Sequence, residues 1–163
     1  ANEVVMIHTP EYFRFFRATS SFNVAVEGGG IHLRAGRWTH VAVVWSSDPQ
    51  ASPHGQVALY TNGELVGNGS KCAASTCDMG KPIMPGGLIH FGQEADKPYG
   101  DFDEFQAFTG VIDELRIWST IRNNAEIAAS FKLGVDGSPL HVNSAMSEDG
   151  LALRWGFDTP GLE

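Results

Sequence analysis

The sequence predicts an all-β, antiparallel sandwich with one short helix, and three observations carry that expectation. Apolar and β-branched residues fall in short runs of strand length. The 19 glycines and 8 prolines are spread between those runs, as closely spaced turns require. Hydrophobic residues make up 42% and charged residues 18%, which supports one buried core and excludes a disordered or coiled-coil chain. With no repeat, low-complexity tract or linker, residues 1–163 read as a single domain.

In chain order, Val4–Ile7, Tyr12–Ala18 and Ser21–Val26 read as successive strands, separated by His8-Thr9-Pro10 and followed by the Gly28-Gly29-Gly30 turn. Trp38–Trp45 is a strong strand pattern. Gln56–Thr61 and Glu64–Val66 flank Asn62-Gly63, two residues suited to the positive φ angles of a type I′ hairpin turn. Leu88–Gly92 and Phe108–Trp118 read as further strands. From about residue 120 to 133, Ile121, Ala125, Ile127, Ala128 and Phe131 recur at helical spacing before Gly134. Leu151–Phe157 closes the chain as a strand, with Leu151, Leu153, Trp155 and Phe157 on one face. Trp38, Trp45, Trp118 and Trp155 are expected in the core.

A formal charge of -8 and a pI near 5.1 exclude a nucleic-acid partner, because phosphate binding needs clustered Lys and Arg. No apolar run is long enough to span a membrane. Ala1–Ile7 lacks signal-peptide character, so the expected form is soluble and mature or excised. Cys72 and Cys77 bracket a polar loop that one disulfide could close, with two reduced thiols as the alternative; a zinc site lacks further ligands. Asn68-Gly69-Ser70 is an N-glycosylation acceptor sequence. Together these features predict a secreted, extracellular or cell-surface protein.

Chemistry concentrates in QEADKPYGDFDEFQ, where Glu94, Asp96, Asp101, Asp103 and Glu104 lie within eleven residues beside one Lys97. Such crowding is either solvated or neutralised by a cation. If Tyr99-Gly100 folds Asp103 and the Gln106 amide back toward Glu94 and Asp96, the site offers oxygens only. Calcium, which takes six to eight oxygens in forgiving geometry, suits that set better than zinc or copper. Tyr99, Phe102 and Phe105 either wall such a site or pack at strand ends. Paired carboxylates also invite a glycosidase reading, but Tyr99 stands where the third acid of Glu-x-Asp-x-x-Glu belongs, and Pro98 interrupts the strand. Asp113 and Glu114, as strand neighbours, would face opposite sides. The six histidines, His8, His32, His40, His54, His90 and His141, show no metal-binding spacing.

The stretch from Gly92 to Trp118, GQEADKPYGDFDEFQAFTGVIDELRIW, resembles the pentraxin pattern in which a Gly-Gln-Glu-x-Asp segment enters a calcium loop and returns as Gly-x-Ile ending in Trp. RWTHVAVVWSS and GQVALYTNGELVG resemble a strand and hairpin shared by pentraxins and laminin-G-like domains, and the similarity spans roughly Asn2 to Phe157. The resemblance implies a concanavalin A-like jelly roll. It implies that Glu94 and Asp96 bridge two calcium ions, that the Ala95 carbonyl contributes, and that Asp103 and Gln106 complete the second ion. Asn2 would be a ligand of the first ion, which is short of one carboxylate because Ala1 stands where the family has aspartate. The family's intradomain disulfide has no counterpart in Trp38–Trp45, and its first strands would precede Asn2, so the resemblance implies a processed or partial chain, a shortened sandwich, or a partner chain that supplies the missing strands. The implied function is non-enzymatic. It is calcium-dependent recognition or adhesion toward a carbohydrate or anionic ligand or another extracellular chain; the alternative is a structural module of a larger extracellular assembly.

Overall fold

A computed structural model describes residues 3–8, 13–18, 24–25, 33–46, 48, 57–69, 89–93, 101–131 and 149–155. Its strands are β1 (Glu3–His8), β2 (Phe13–Ala18), β3 (Val24–Ala25), β4 (Val41–Trp45), β5 (Val57–Thr61), β6 (Glu64–Gly69), β7 (Leu115–Trp118) and β8 (Leu151–Trp155), with helix α1 (Asn124–Ser130) between β7 and β8. All pairings are antiparallel: β1-β2-β3, β4-β5-β6 and β7-β8. The expected all-β class with one short helix holds.

The second sheet is built on β5. Val57, Ala58, Leu59 and Tyr60 are all buried, so this strand is covered on both faces, where many antiparallel strands leave one face to water. Leu59 meets Leu33, Val41, Val43 and Val66 on one side. On the other, Ala58 and Tyr60 meet Val44 and Ile127 of α1. Burying side chains of this size stabilises by about 1.5–3 kcal/mol each. The Tyr60 hydroxyl donates to Asn124 Oδ1, so the buried ring carries its polar end to the first turn of α1.

The hairpin joining β5 to β6 turns at Asn62 (φ 50°) and Gly63 (φ 82°), the two positive angles anticipated for Asn-Gly. Gly63 is also required by contact: a Cβ there would stand 2.6 Å from Phe131 Cδ1 and 3.1 Å from Ala128 Cα, because the end of α1 lies against the turn. Asn62 N–H donates to the His40 carbonyl at 2.9 Å, and His40 N–H donates to Asn62 Oδ1 at 3.0 Å, fixing the turn to the chain entering β4.

Several expected boundaries move. The first strands come out as Glu3–His8 and Phe13–Ala18, and only Val24–Ala25 of the third is a described ladder. β4 begins at Val41 rather than Trp38, since residues 34–37 form a turn with Arg37 N–H donating to the Arg34 carbonyl and Gly36 at φ 75°. Residues 89–92 form no ladder: Gly92 adopts φ 75°, which ends extended backbone. Of Phe108–Trp118 only Leu115–Trp118 is strand, because Glu114 sits at φ 52° immediately before it. The helix is shorter than 120–133. Asn123 is extended and caps it, its Oδ1 accepting from Glu126 N–H at 3.0 Å while Glu126 Oε2 accepts from Asn123 N–H at 2.8 Å. The preceding Ser119 N–H is instead committed to the Gly150 carbonyl.

The tryptophan expectation needs correction as well. Trp38 and Trp155 are 56% and 52% exposed, one in the loop before β4 and the other ending the two-stranded β7-β8 sheet. Trp118 is half-buried beneath the Arg122 guanidinium, 4.3 Å from its ring centre. Leu153 and Trp155 share a face opposite Ile117 and Leu115 as expected, but a register shift between Ile117 and Trp118 sets Leu151 against Trp118 and out of that alternation, and Phe157 lies outside the described residues. No helix among the described residues is long and apolar enough to cross a membrane.

Candidate functional site

Of the candidate calcium ligands, Asp103 and Gln106 are described; Asn2, Glu94, Ala95 and Asp96 lie outside the described residues, as do Cys72 and Cys77. Asp103 and Gln106 belong to one 3₁₀ turn, Glu104–Gln106, that the sequence reading did not foresee. Asp103 caps it: its Oδ1 accepts from Phe105 N–H at 2.9 Å, and its carbonyl accepts from Gln106 N–H at 3.0 Å. Asp103 itself is extended (φ -93°, ψ 119°), so it stands just before the turn as its cap, and Gln106 is the turn's last residue. The signal was present in the sequence as Asp followed by Glu at the turn's first position.

A second set of bonds closes the acidic loop at its base. Gln93 Nε2 donates to the Asp103 carbonyl at 2.6 Å, and Phe108 N–H donates to the Gly92 carbonyl at 2.7 Å. These bonds bring both ends of the intervening segment together and place the 3₁₀ turn at its return point. His90 and Phe102 meet edge to face at 5.7 Å, and Phe91 meets Trp155 of β8 at 6.5 Å, tying the same base to the third sheet. Asp101 holds φ 64°, a left-handed angle that Asp tolerates better than most residues.

The two described candidates suit a hard cation. Asp103 uses one carboxylate oxygen as a cap, leaving the other, and the Gln106 amide makes no hydrogen bond among the described residues. Both residues are exposed. Phe105, between them, is 90% exposed, whereas Phe102 is engaged by His90. Among the described residues no three His, Cys, Asp or Glu side chains gather as a metal centre; Glu94 and Asp96 stand outside them.

Asp113 and Glu114 are not the oppositely facing strand neighbours that the sequence suggested. Glu114 N–H donates to Asp113 Oδ1 at 2.7 Å. The Glu114 carboxylate meets Arg116 at 2.9 Å and Arg154 at 3.6 Å, and these arginines are register partners across β7 and β8. Glu114 therefore offsets the repulsion of a cross-strand like-charge pair, a structural task. Arg116 also acts on His40. Burial first, and the Arg116 charge second, hold the His40 imidazole below its ordinary pKa, and its buried Nδ1 has no hydrogen-bond partner among the described residues. Nothing local in the sequence announces the Glu114–Arg154 and His40–Arg116 pairings, which join segments far apart in the chain.

The protein-family profile for the concanavalin A-like lectin/glucanases superfamily matches residues 9–128. Among curated proteins, the chain is 38% identical over 99 residues to pentraxin-related protein PTX3 of Mus musculus, covering 58% of this chain and 23% of that one. It is 30% identical over 127 residues to neuronal pentraxin-2 of Homo sapiens, covering 76% of this chain and 27% of the relative. C-reactive protein 1.4 of Limulus polyphemus is 32% identical over 97 residues, covering 60% of this chain and 36% of the relative. The matched part of the chain thus spans only 23% to 36% of the length of these relatives.

Proposed function

The chain belongs to the concanavalin A-like lectin/glucanase superfamily, as an all-β pentraxin/laminin-G-like domain, and from that membership we propose that it is a calcium-dependent extracellular recognition module rather than an enzyme. The observation that carries the reading is the 3₁₀ turn. It carries Asp103 as its cap and Gln106 as its last residue, the two described positions of the proposed ligand set, beside the bond from Gln93 to the Asp103 carbonyl.

In this reading Glu94, Asp96, Asp103, Gln106 and the Ala95 carbonyl hold calcium, with Asn2 contributing to a first ion. Bound calcium supplies a positive centre able to accept anionic or hydroxyl oxygens from a carbohydrate or anionic ligand. The chain's own residues do the rest. The Asp103 cap and the Gln93 bond fix the turn, and the cation would offset the mutual repulsion of the acidic side chains. A purely structural ion would be enclosed by protein. The exposure of Asp103 and Gln106 instead favours a site open to ligand, to which the exposed Phe105 would offer an apolar contact.

Thermal unfolding with calcium titrated against a chelator tests the proposal, with Glu94→Ala as the comparison, because an ion bound only by the native state raises its stability. A calcium-dependent rise that Glu94→Ala abolishes is expected. No shift at millimolar calcium would overturn the recognition mechanism and leave a structural sandwich module.

A further inference from the structure

Four asparagines lie within the described residues, and three have side chains committed to the fold. Asn62 Oδ1 accepts from His40 N–H, Asn123 Oδ1 from Glu126 N–H, and Asn124 Oδ1 from the Tyr60 hydroxyl. Asn68 alone makes no side-chain hydrogen bond among the described residues, and it is exposed. It is also the asparagine that opens Asn68-Gly69-Ser70, with a hydroxyl two residues on and no proline between.

Its position gives the sequence motif a physical consequence. Asn68 lies opposite Ala58 near the end of β6, and among the described residues β6 is the terminal strand in the order β4-β5-β6. An edge strand offers unpaired backbone groups to any second chain, and proteins blunt such edges with charge, proline or cover. Here the strand reads ELVGNG: one glutamate, no lysine, no proline, and Leu65 exposed on it.

We propose that Asn68 carries an N-linked glycan and that the glycan screens the outer edge of β6 from pairing with another chain. The transfer forms a bond between Asn68 Nδ2 and the anomeric carbon of a lipid-diphosphate-linked oligosaccharide. The anomeric C–O bond of that donor breaks, the lipid diphosphate leaves with the electron pair, and a base of the transferase takes one Nδ2 proton. The proposal rests on the extracellular reading, since the donor and transferase belong to the secretory route.

The test expresses the chain behind a cleavable secretion leader in a eukaryotic cell and measures intact mass before and after peptide-N-glycosidase F, with Asn68→Gln and Ser70→Ala alongside. The expected result is a glycan-sized mass lost from the wild type on treatment and absent from both variants. Because the leader imposes entry into the secretory route, an unmodified wild type overturns the proposal whatever the calcium titration returns. A glycosylated protein without a calcium response overturns the calcium reading alone. Sedimentation velocity at matched concentrations then reads the screening role: Asn68→Gln should show a several-fold larger dimer fraction, and equal fractions overturn that role.

Discussion

Asp103 is asked to do two things, and two substitutions separate them. As the cap of a three-residue 3₁₀ turn it accepts from Phe105 N–H, which an Asn side-chain oxygen can also do and an Ala cannot. Losing a cap costs about 0.5–2 kcal/mol, and an exposed, short turn belongs in the lower half of that range, about 0.5–1 kcal/mol. For a domain of this size that is a fall in Tm of about 1–4 °C. As a calcium ligand it supplies charge that neither variant retains. With a dissociation constant of about 10⁻⁴–10⁻³ M, usual for extracellular calcium modules, about 2 mM calcium stabilises by roughly 0.6–1.8 kcal/mol. The corresponding rise in Tm is about 1–7 °C. In chelator, Asp103→Asn should therefore melt with the wild type and Asp103→Ala below it. In calcium, both should lose most of the rise. Differential scanning fluorimetry with and without calcium reads all six conditions. A full calcium response in Asp103→Asn would refute the ligand assignment, and equal losses for Asn and Ala in chelator would refute the cap.

Two further outcomes follow from the scaffold. Gly63→Ala places a methyl group against Phe131 and Ala128 in a left-handed backbone, which should cost about 2–4 kcal/mol from the combined conformational and overpacking penalties. Urea unfolding should show a lower midpoint at unchanged slope, and an unmoved midpoint would mean that α1 does not lie on the turn. The second concerns pH. Burial and then Arg116 lower the His40 pKa, so the unfolded chain binds this proton more readily than the folded one. The stability that His40 contributes is complete above its ordinary value of 6.5 and declines as pH falls toward and through the folded value. Replacing it by Gln should shrink the stability difference between about pH 7 and pH 5, and an unchanged difference would place the acid sensitivity elsewhere.

What could be read from residues alone was what local backbone chemistry decides. Asn62-Gly63 specified its turn because only residues tolerant of positive φ close a two-residue hairpin with the twist of its strands. The helix was legible from its apolar spacing. Its start was misplaced because the Asn123-x-x-Glu126 box was overlooked, although it was present in the sequence. The strand assignments at Leu88–Gly92 and Phe108–Glu114 failed for a different reason. Alternating apolar residues indicate extended chain only when a neighbour is available to pair with it, and here Phe108 meets Gly92 through one bond rather than a ladder. The misjudged Glu114 illustrates the same limit, since its two arginines come together only through the β7-β8 register. For the site, composition supplied an oxygen-rich loop and the family pattern supplied the ligand positions. The 3₁₀ turn carries Asp103 as its cap and Gln106 as its last residue.

The scaffold and the candidate site are stabilised by different means, and that difference bears on the proposed function. β5 is buried on both faces and fastened to α1 through Ile127 and the Tyr60–Asn124 bond, so its order depends on apolar burial. The segment carrying Asp103 and Gln106 buries none of its 3₁₀ residues and is held by hydrogen bonds exposed to water. Bonds of that kind contribute only about 0.5–1.5 kcal/mol each, which sets this segment at the low end of local stability while β5 stays fixed. Calcium binding there would cross-link carboxylates that otherwise repel, adding order where the scaffold supplies least. The ion would thus govern the geometry of the recognition surface without governing whether the sheet around β5 folds.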